Sequence, residues 1–265
     1  MSFSFPSYRN LYRYLGETDA LVELTELACR SFQDAARKSP DASSYIASES
    51  ERFGIRVNLS EAELLSRHLA RSYIVTVYQS AECFLHDFRK EHRALYRKDW
   101  IGDAEDADPL TVTLRNLSTA NPEDAIGQDL ITRFQYYRIV RNWIVHTKES
   151  DPSKPLAKFA EIAPYTPERQ ELKKPLPATN RPDELTFEDF ICFSRVTKLI
   201  AEKLCSLEKP SDSHWFTNFP IARFKRFMTK PERMQNSIAG YLRTEFGMDA
   251  REAGWIAEEL YGSLA

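Results

Sequence analysis

Cysteine is sparse in this chain. The four present (Cys29, Cys83, Cys192 and Cys205) are scattered, with no C-x-x-C pair among them. That spacing argues against a zinc site and against a disulfide framework, and it fits free buried thiols in a reducing compartment. Long apolar runs are missing too: none approaches the roughly 20 residues that a helical membrane span needs. The start, Met-Ser-Phe-Ser-Phe-Pro, has neither the basic beginning nor the apolar stretch of a secretory leader. A cytoplasmic location and no membrane association are the expectation. Charge of one sign is not in excess, since 36 Lys and Arg stand against 39 Asp and Glu, for a net charge of -3 and a pI near 6.0. No global positive field marks a nucleic-acid binder, so any such contact requires basic residues gathered locally. There is no Gly-rich phosphate loop, no nucleophile elbow and no metal-binding His pair. We expect no cofactor and no metal. Internal repeats, useful coiled-coil heptads and low-complexity tracts are also lacking.

What is present is material for a helical core. Hydrophobic residues make up 42% and aromatics 12%, with 16 Phe and 12 Tyr, which excludes disorder throughout. The start of the chain, as far as Glu17, is aromatic and basic without a clear period. Leu21, Leu24, Leu27, Ala28 and Phe32 then recur at helical spacing, predicting a helix from about 18 to 38 that stops at Pro40 and the Ser-rich stretch after it. Ser60 and Glu63 form a potential capping box. Beyond it Leu64, Leu65, Tyr73, Val77, Ala81, Phe84, Leu85 and Phe88 mark an apolar face at three- and four-residue steps, uninterrupted by Pro or Gly until Gly102. This predicts one very long helix between Ser60 and Gly102. Residues 101–125 read as a loop, and a second long helix follows from about 124 or 127 to 148. Half of the 14 prolines fall between Pro152 and Pro182, which reads as a long irregular connection. Thr186 caps the next helix, and two short helices, about 231–246 and 249–263, close the chain. The expected fold is all-α. Its segments are an N-terminal helical extension (1–57), a helical domain (58–210) and a small basic and aromatic C-terminal helical region (211–265).

The residues with the most chemistry lie late in the second long helix. At about 100° per residue, Tyr136, Tyr137, Ile139, Val140, Trp143 and Ile144 gather on one side as a core face. Arg138, Asn142 and His146 occupy successive turns on the other, with Arg141 at the border of that polar face. An Arg, an amide and a His together suit phosphodiester chemistry. Histidine moves protons near neutral pH, and arginine stays charged and offers planar donors that match phosphate oxygens. No acidic cluster stands beside them for metal-assisted cleavage. RNA is the more natural substrate, because its 2′-OH is an internal nucleophile.

Arg141-Asn142-x-x-x-His146 resembles the R-[polar]-x-x-x-H signature of HEPN domains, helical modules found in toxins, abortive-infection proteins and CRISPR effectors. The resemblance covers about residues 58–208, with a long helix before the motif and a variable connection and closing helix after it. It implies a HEPN-like helical bundle with N- and C-terminal helical extensions. It also implies a metal-independent endoribonuclease acting as a homodimer, two copies of the motif facing each other across a cleft. Arg141 would hold or polarise the scissile phosphate, His146 would serve proton transfer or transition-state stabilisation, and Asn142 would position them. The company the family keeps implies a toxin or anti-phage defence effector that cuts cellular RNA, with an antitoxin or an activating defence subunit as a possible partner. Ile131, Phe134 and Val145, apolar among the polar residues of this face, are expected to be covered by the second copy.

Other features are weaker. Glu82 and His86 are four apart on the first long helix, and His92 lies among Arg89, Lys90, Arg93, Arg97 and Lys98, a basic edge suited to RNA or simply a solvated helix end. Arg223, Lys225, Arg226, Lys230 and Arg233 alternate with Phe219, Phe224 and Phe227. There the basic groups suit phosphates, with Arg138, Arg223, Lys225 and Arg226 as the RNA-contact candidates, and the aromatics suit either unpaired bases or the core. Two readings compete with the enzyme: a non-catalytic interaction or scaffold subunit of a multi-protein complex, and a nucleic-acid-binding regulator working through the basic C-terminal region.

Overall fold

Proline opens helices in this chain more often than it ends them. In a computed structural model, Pro6, Pro109, Pro122 and Pro231 are each the first residue of an α-helix, the position where the missing N–H is not needed and the fixed φ is already helical. Residues 3–58, 62–101, 108–146, 151–162 and 175–263 are described. In chain order the helices are α1 (Pro6–Lys38), α2 (Ala42–Phe53), α3 (Ala62–Tyr96), α4 (Pro109–Asn116), α5 (Pro122–Ile126), α6 (Gln128–Val145), α7 (Ser153–Ala160), α8 (Phe187–Leu207) and α9 (Asp212–Asn218). A 3₁₀ segment (Ile221–Phe227), α10 (Pro231–Phe246) and α11 (Ala250–Gly262) follow. The described residues contain no strand, and the fold is all-α.

Several segments expected to be irregular are helical. Helix α1 begins at Pro6, so the aromatic and basic start is its first turns. The Ser-rich stretch after Pro40 forms α2, because the Asp41 side chain accepts from the N–H groups of Ser43 and Ser44. Asp108 caps α4 in the same way through Thr111 N–H, and α5 follows, so residues 101–125 are not a simple loop. The Pro-rich connection holds α7. Ser60, half of the expected capping box, lies outside the described residues.

The chain groups into two compact units that cut across the linear segments 1–57, 58–210 and 211–265. The first comprises residues 1–13, 81–128 and 198–265, and the second 14–80 and 129–197. In the second unit the core is aromatic and centres on α6. Tyr137 stacks on Phe193 at 4.7 Å, Phe134 meets Phe193 edge-on at 5.8 Å, and Tyr73 meets Phe190 at 5.6 Å. Asp189, the third residue of α8, accepts from the N–H of Thr186 at 2.9 Å, as a capping carboxylate does. The same carboxylate accepts from Asn180 N–H at 2.9 Å, from the Asn180 amide at 2.8 Å and from the Tyr137 hydroxyl at 3.0 Å. Fully buried, Asp189 thereby ties the loop before α8 to α6. Helix α1 buries Leu15, Val22, Cys29 and Ala36 at seven-residue steps and leaves Leu21, Leu24 and Leu27 more than 60% exposed.

In the first unit, the N-terminal segment is fastened to the end of α10. Ser4 N–H donates to Phe246 O at 2.7 Å, and the Arg9 guanidinium donates to the carbonyls of Thr244 and Glu245 at 2.8 and 2.9 Å. A cation on the last carbonyls of a helix satisfies groups that have no partner within the helix and opposes its dipole. Gly247 ends α10 at φ +60, and a Cβ there would lie 2.5 Å from Ser4 Oγ. Glu91 accepts from Ser7 N–H at 3.0 Å and from its hydroxyl at 2.6 Å, holding the first turn of α1. Burial raises the Glu91 carboxyl above its ordinary pKa, with the Ser7 hydrogen bonds opposing.

Candidate functional site

Helix α3 positions the last turns of α6. The Arg141 guanidinium lies over the Tyr78 ring at 5.2 Å, and that of Arg71 lies over Trp143 at 5.3 Å. Arg71 and Tyr78 are two turns apart on α3 and so share one of its faces. Stacking a planar guanidinium on an aromatic ring fixes the orientation of its donor fork. One Arg141 nitrogen donates to Asn142 Oδ1 at 3.0 Å, so the structure brings these two candidates together directly. His146 is the residue after α6, and its backbone N–H donates to Asn142 O at 2.9 Å. The helical turn therefore carries through to an exposed imidazole. Arg138, one turn before Asn142, donates to Gln135 Oε1 at 2.7 Å. Among the described residues no group of three or more His, Cys, Asp or Glu could hold a metal ion.

Two expectations about α6 are corrected. Ile131 and Phe134 are buried within the chain, at 8% and 2% exposure, where Phe134 packs on Tyr78 and Phe193. They are not waiting for a second copy, and only Val145 of that trio is exposed. The reason is that residues 130–134 of α6 are buried without a break: Leu130, Thr132 and Arg133 are covered as well. The expected core face holds for Tyr136, Tyr137 and Val140, while Ile139, Trp143 and Ile144 are half-buried.

His92 is not on a basic edge. It is fully buried in the first unit, with Nε2 2.8 Å from Glu208 Oε2 and Nδ1 accepting from the Trp100 indole N–H at 3.1 Å. An indole N–H only donates, so the imidazole proton sits on Nε2 and points to the carboxylate. Glu208 also accepts from Ser118 N–H at 2.9 Å, and its backbone carbonyl accepts from the Tyr96 hydroxyl at 2.9 Å. Nothing local in the sequence announces this cluster, because His92 and Glu208 lie on different segments far apart in the chain. His86 is mostly exposed beside Asp87 at 3.5 Å.

The basic segment is arranged as cations over rings. Arg223 lies over Tyr241 at 4.9 Å, and both Arg226 and Arg233 approach Phe227, at 4.6 and 5.1 Å. Phe224 is buried against Phe219, as the core reading expects, whereas Phe227 is half-exposed. Lys225 and Lys230 are exposed. Comparison with family models, curated proteins and solved structures finds no match to this chain. Among the described residues no helix is long and apolar enough to cross a membrane.

Proposed function

We propose that the chain is a HEPN-type, metal-independent endoribonuclease that cuts cellular RNA as a homodimer, each copy contributing one Arg141–Asn142–His146 motif. The observation that carries this reading is the ordered pair of Arg141 and Asn142 with an exposed His146 one turn on, at the end of α6. In the reaction, the ribose 2′-oxygen attacks the adjacent phosphorus and the P–O5′ bond breaks. The 2′-OH proton passes to an imidazole, and a proton is delivered to the departing 5′-oxygen. Arg141 donates to the non-bridging phosphate oxygens as charge builds on them, and Asn142 fixes the guanidinium. The products are a 2′,3′-cyclic phosphate and a 5′-hydroxyl. A toxin or anti-phage role, silenced by an antitoxin or triggered by a defence subunit, is the biological setting that suits such an activity.

The second reading is an interaction subunit without catalysis. It is favoured by the stacking of Arg141 on Tyr78 of its own chain, which suits a structural arginine as well. The test is incubation of the purified protein with RNA in EDTA beside His146→Ala and Arg141→Ala. The enzyme reading expects cleavage with cyclic phosphate ends in wild type and a loss of at least about 100-fold in each variant. Cleavage that persists in both variants, or wild type that binds RNA and never cuts it with any activator, refutes it.

A further inference from the structure

The basic segment of the first unit turns its cations outward, where no acid meets them. A 3₁₀ helix repeats every three residues, so Ile221–Phe227 sorts into three edges. Ile221, Phe224 and Phe227 form the covered edge, with Phe224 buried on Phe219 and the other two half-buried. Arg223 and Arg226 form the second edge and Ala222 and Lys225 the third, all exposed. Lys230, just before α10, and Arg233 in its first turn are exposed too. Between residues 221 and 234, five cations thus stand against one acid, Glu232, in a chain whose net charge is -3. None of the five is in an ion pair among the described residues. Lys90, Arg93 and Lys209 of the same unit, by contrast, meet the carboxylates of Asp87, Asp99 and Glu252. Like charges gathered in this way repel one another, and a bound polyanion relieves that cost. The three arginines are also held in place, Arg223 over Tyr241 and both Arg226 and Arg233 over Phe227, which fixes their planes and leaves less freedom to lose on binding.

We propose that this face holds a single strand of RNA by its phosphates, without regard to base sequence. Arg223 and Arg226 are one 3₁₀ turn apart, about 6 Å along the axis, close to the step between consecutive phosphates of an extended strand. Lys225, Lys230 and Arg233 extend the row of phosphate donors. A guanidinium plane resting on a ring by one face can stack an unpaired base on its other. An anionic membrane suits this face less well. An interfacial anchor inserts several apolar side chains, and between residues 221 and 234 the exposed large ones reduce to Met228. The proposal rests on the RNA of the proposed function for its ligand, but on different residues from those that would cut it.

The test uses a labelled 2′-O-methyl oligouridine of about 12 residues, which lacks the attacking hydroxyl and so reports binding alone. Fluorescence anisotropy measures its affinity between about 50 and 200 mM salt. Five phosphate contacts predict a slope of log K against log salt of about −3.5, at about 0.7 per contact for a single strand. The matching oligoadenosine should bind within about fivefold. Arg223→Gln, Arg226→Gln and Arg233→Gln together should make the slope shallower by about 2 and weaken binding at about 50 mM salt by at least about 50-fold. Lys225→Gln with Lys230→Gln, which disturbs no cation over a ring, should make it shallower by about 1.4. A wild-type slope shallower than about −2, no binding at micromolar protein, or wild-type slopes in both variants would show the proposal to be wrong. Preference for phosphatidylserine vesicles over the oligomer would overturn it too, in favour of a lipid surface. Binding of the expected kind in a protein that never cleaves RNA would retire the nuclease and leave this face standing, and cleavage by a protein that does not hold the oligomer would do the reverse.

Discussion

Replacing Glu208 by glutamine is a near-isosteric change that tests the buried cluster of the first unit. Both carboxylate oxygens face donors: Oε2 meets His92 Nε2–H at 2.8 Å, and Oε1 meets Ser118 N–H at 2.9 Å. A glutamine amide has one acceptor oxygen and an NH₂ that can only donate. Whichever way it is turned, its NH₂ confronts either the imidazole N–H or the peptide N–H. The imidazole cannot relieve this by moving its proton to Nδ1, because the Trp100 indole N–H points there. One buried donor is therefore stranded, at a cost of about 1–3 kcal/mol. For a chain of this size that is a fall in Tm of roughly 2–4 °C per kcal/mol. Thermal and urea unfolding followed by circular dichroism measure it, with the exposed Glu232→Gln as a control that should change stability by less than about 0.5 kcal/mol. Glu208→Ala, which strands both donors and leaves a hole, should be worse than Glu208→Gln. If Glu208→Gln unfolds with its control, the proton placement on His92 is wrong.

Three further outcomes rest on the same kind of reasoning. Burial raises the Glu91 pKa, so its contribution is fully present below the ordinary carboxylate pKa and is lost as pH rises through the raised folded value. The stability of Glu91→Gln relative to wild type should therefore improve between pH 4 and pH 7, and a Tm difference that is flat with pH refutes this. Asp189→Asn places an amide N–H₂ against donors from Asn180, Thr186 or Tyr137 and should cost at least about 2 kcal/mol in urea unfolding; a smaller loss would mean that the carboxylate does not hold the loop. Gly247→Ala combines a left-handed backbone with a Cβ 2.5 Å from Ser4 Oγ, and should cost at least about 1 kcal/mol, measurable as increased proteolysis at the N-terminal segment.

Long helices without interruption were legible in the sequence, because an apolar rhythm of threes and fours gathers on one face only when the backbone is helical. The very long helix expected between Ser60 and Gly102 is α3, and the one expected at about 231–246 is α10. Short helices were missed where the residues that start them look like breakers: Asp41 before a run of serines, and proline at the head of α4 and α5. Periodicity also misled about direction. Leu21, Leu24 and Leu27 form the most evident apolar rhythm in α1, yet they face outward, while the buried face includes Glu26 and Gln33. At the candidate site, the motif could be read from local spacing, since Arg141, Asn142 and His146 lie within two helical turns. Tyr78, which orients Arg141, could not, because only tertiary packing brings α3 under it. The pairing of His92 with Glu208 is hidden for the same reason.

The fastening of Ser4 and Arg9 onto the end of α10 has a bearing on synthesis. Ser4 and Arg9 find their acceptors more than 230 positions further along the chain, so this unit cannot close before α10 has been translated. Until then Phe3 has no Phe246 to stack on. The growing chain thus carries an adhesive aromatic segment for as long as α10 is unmade.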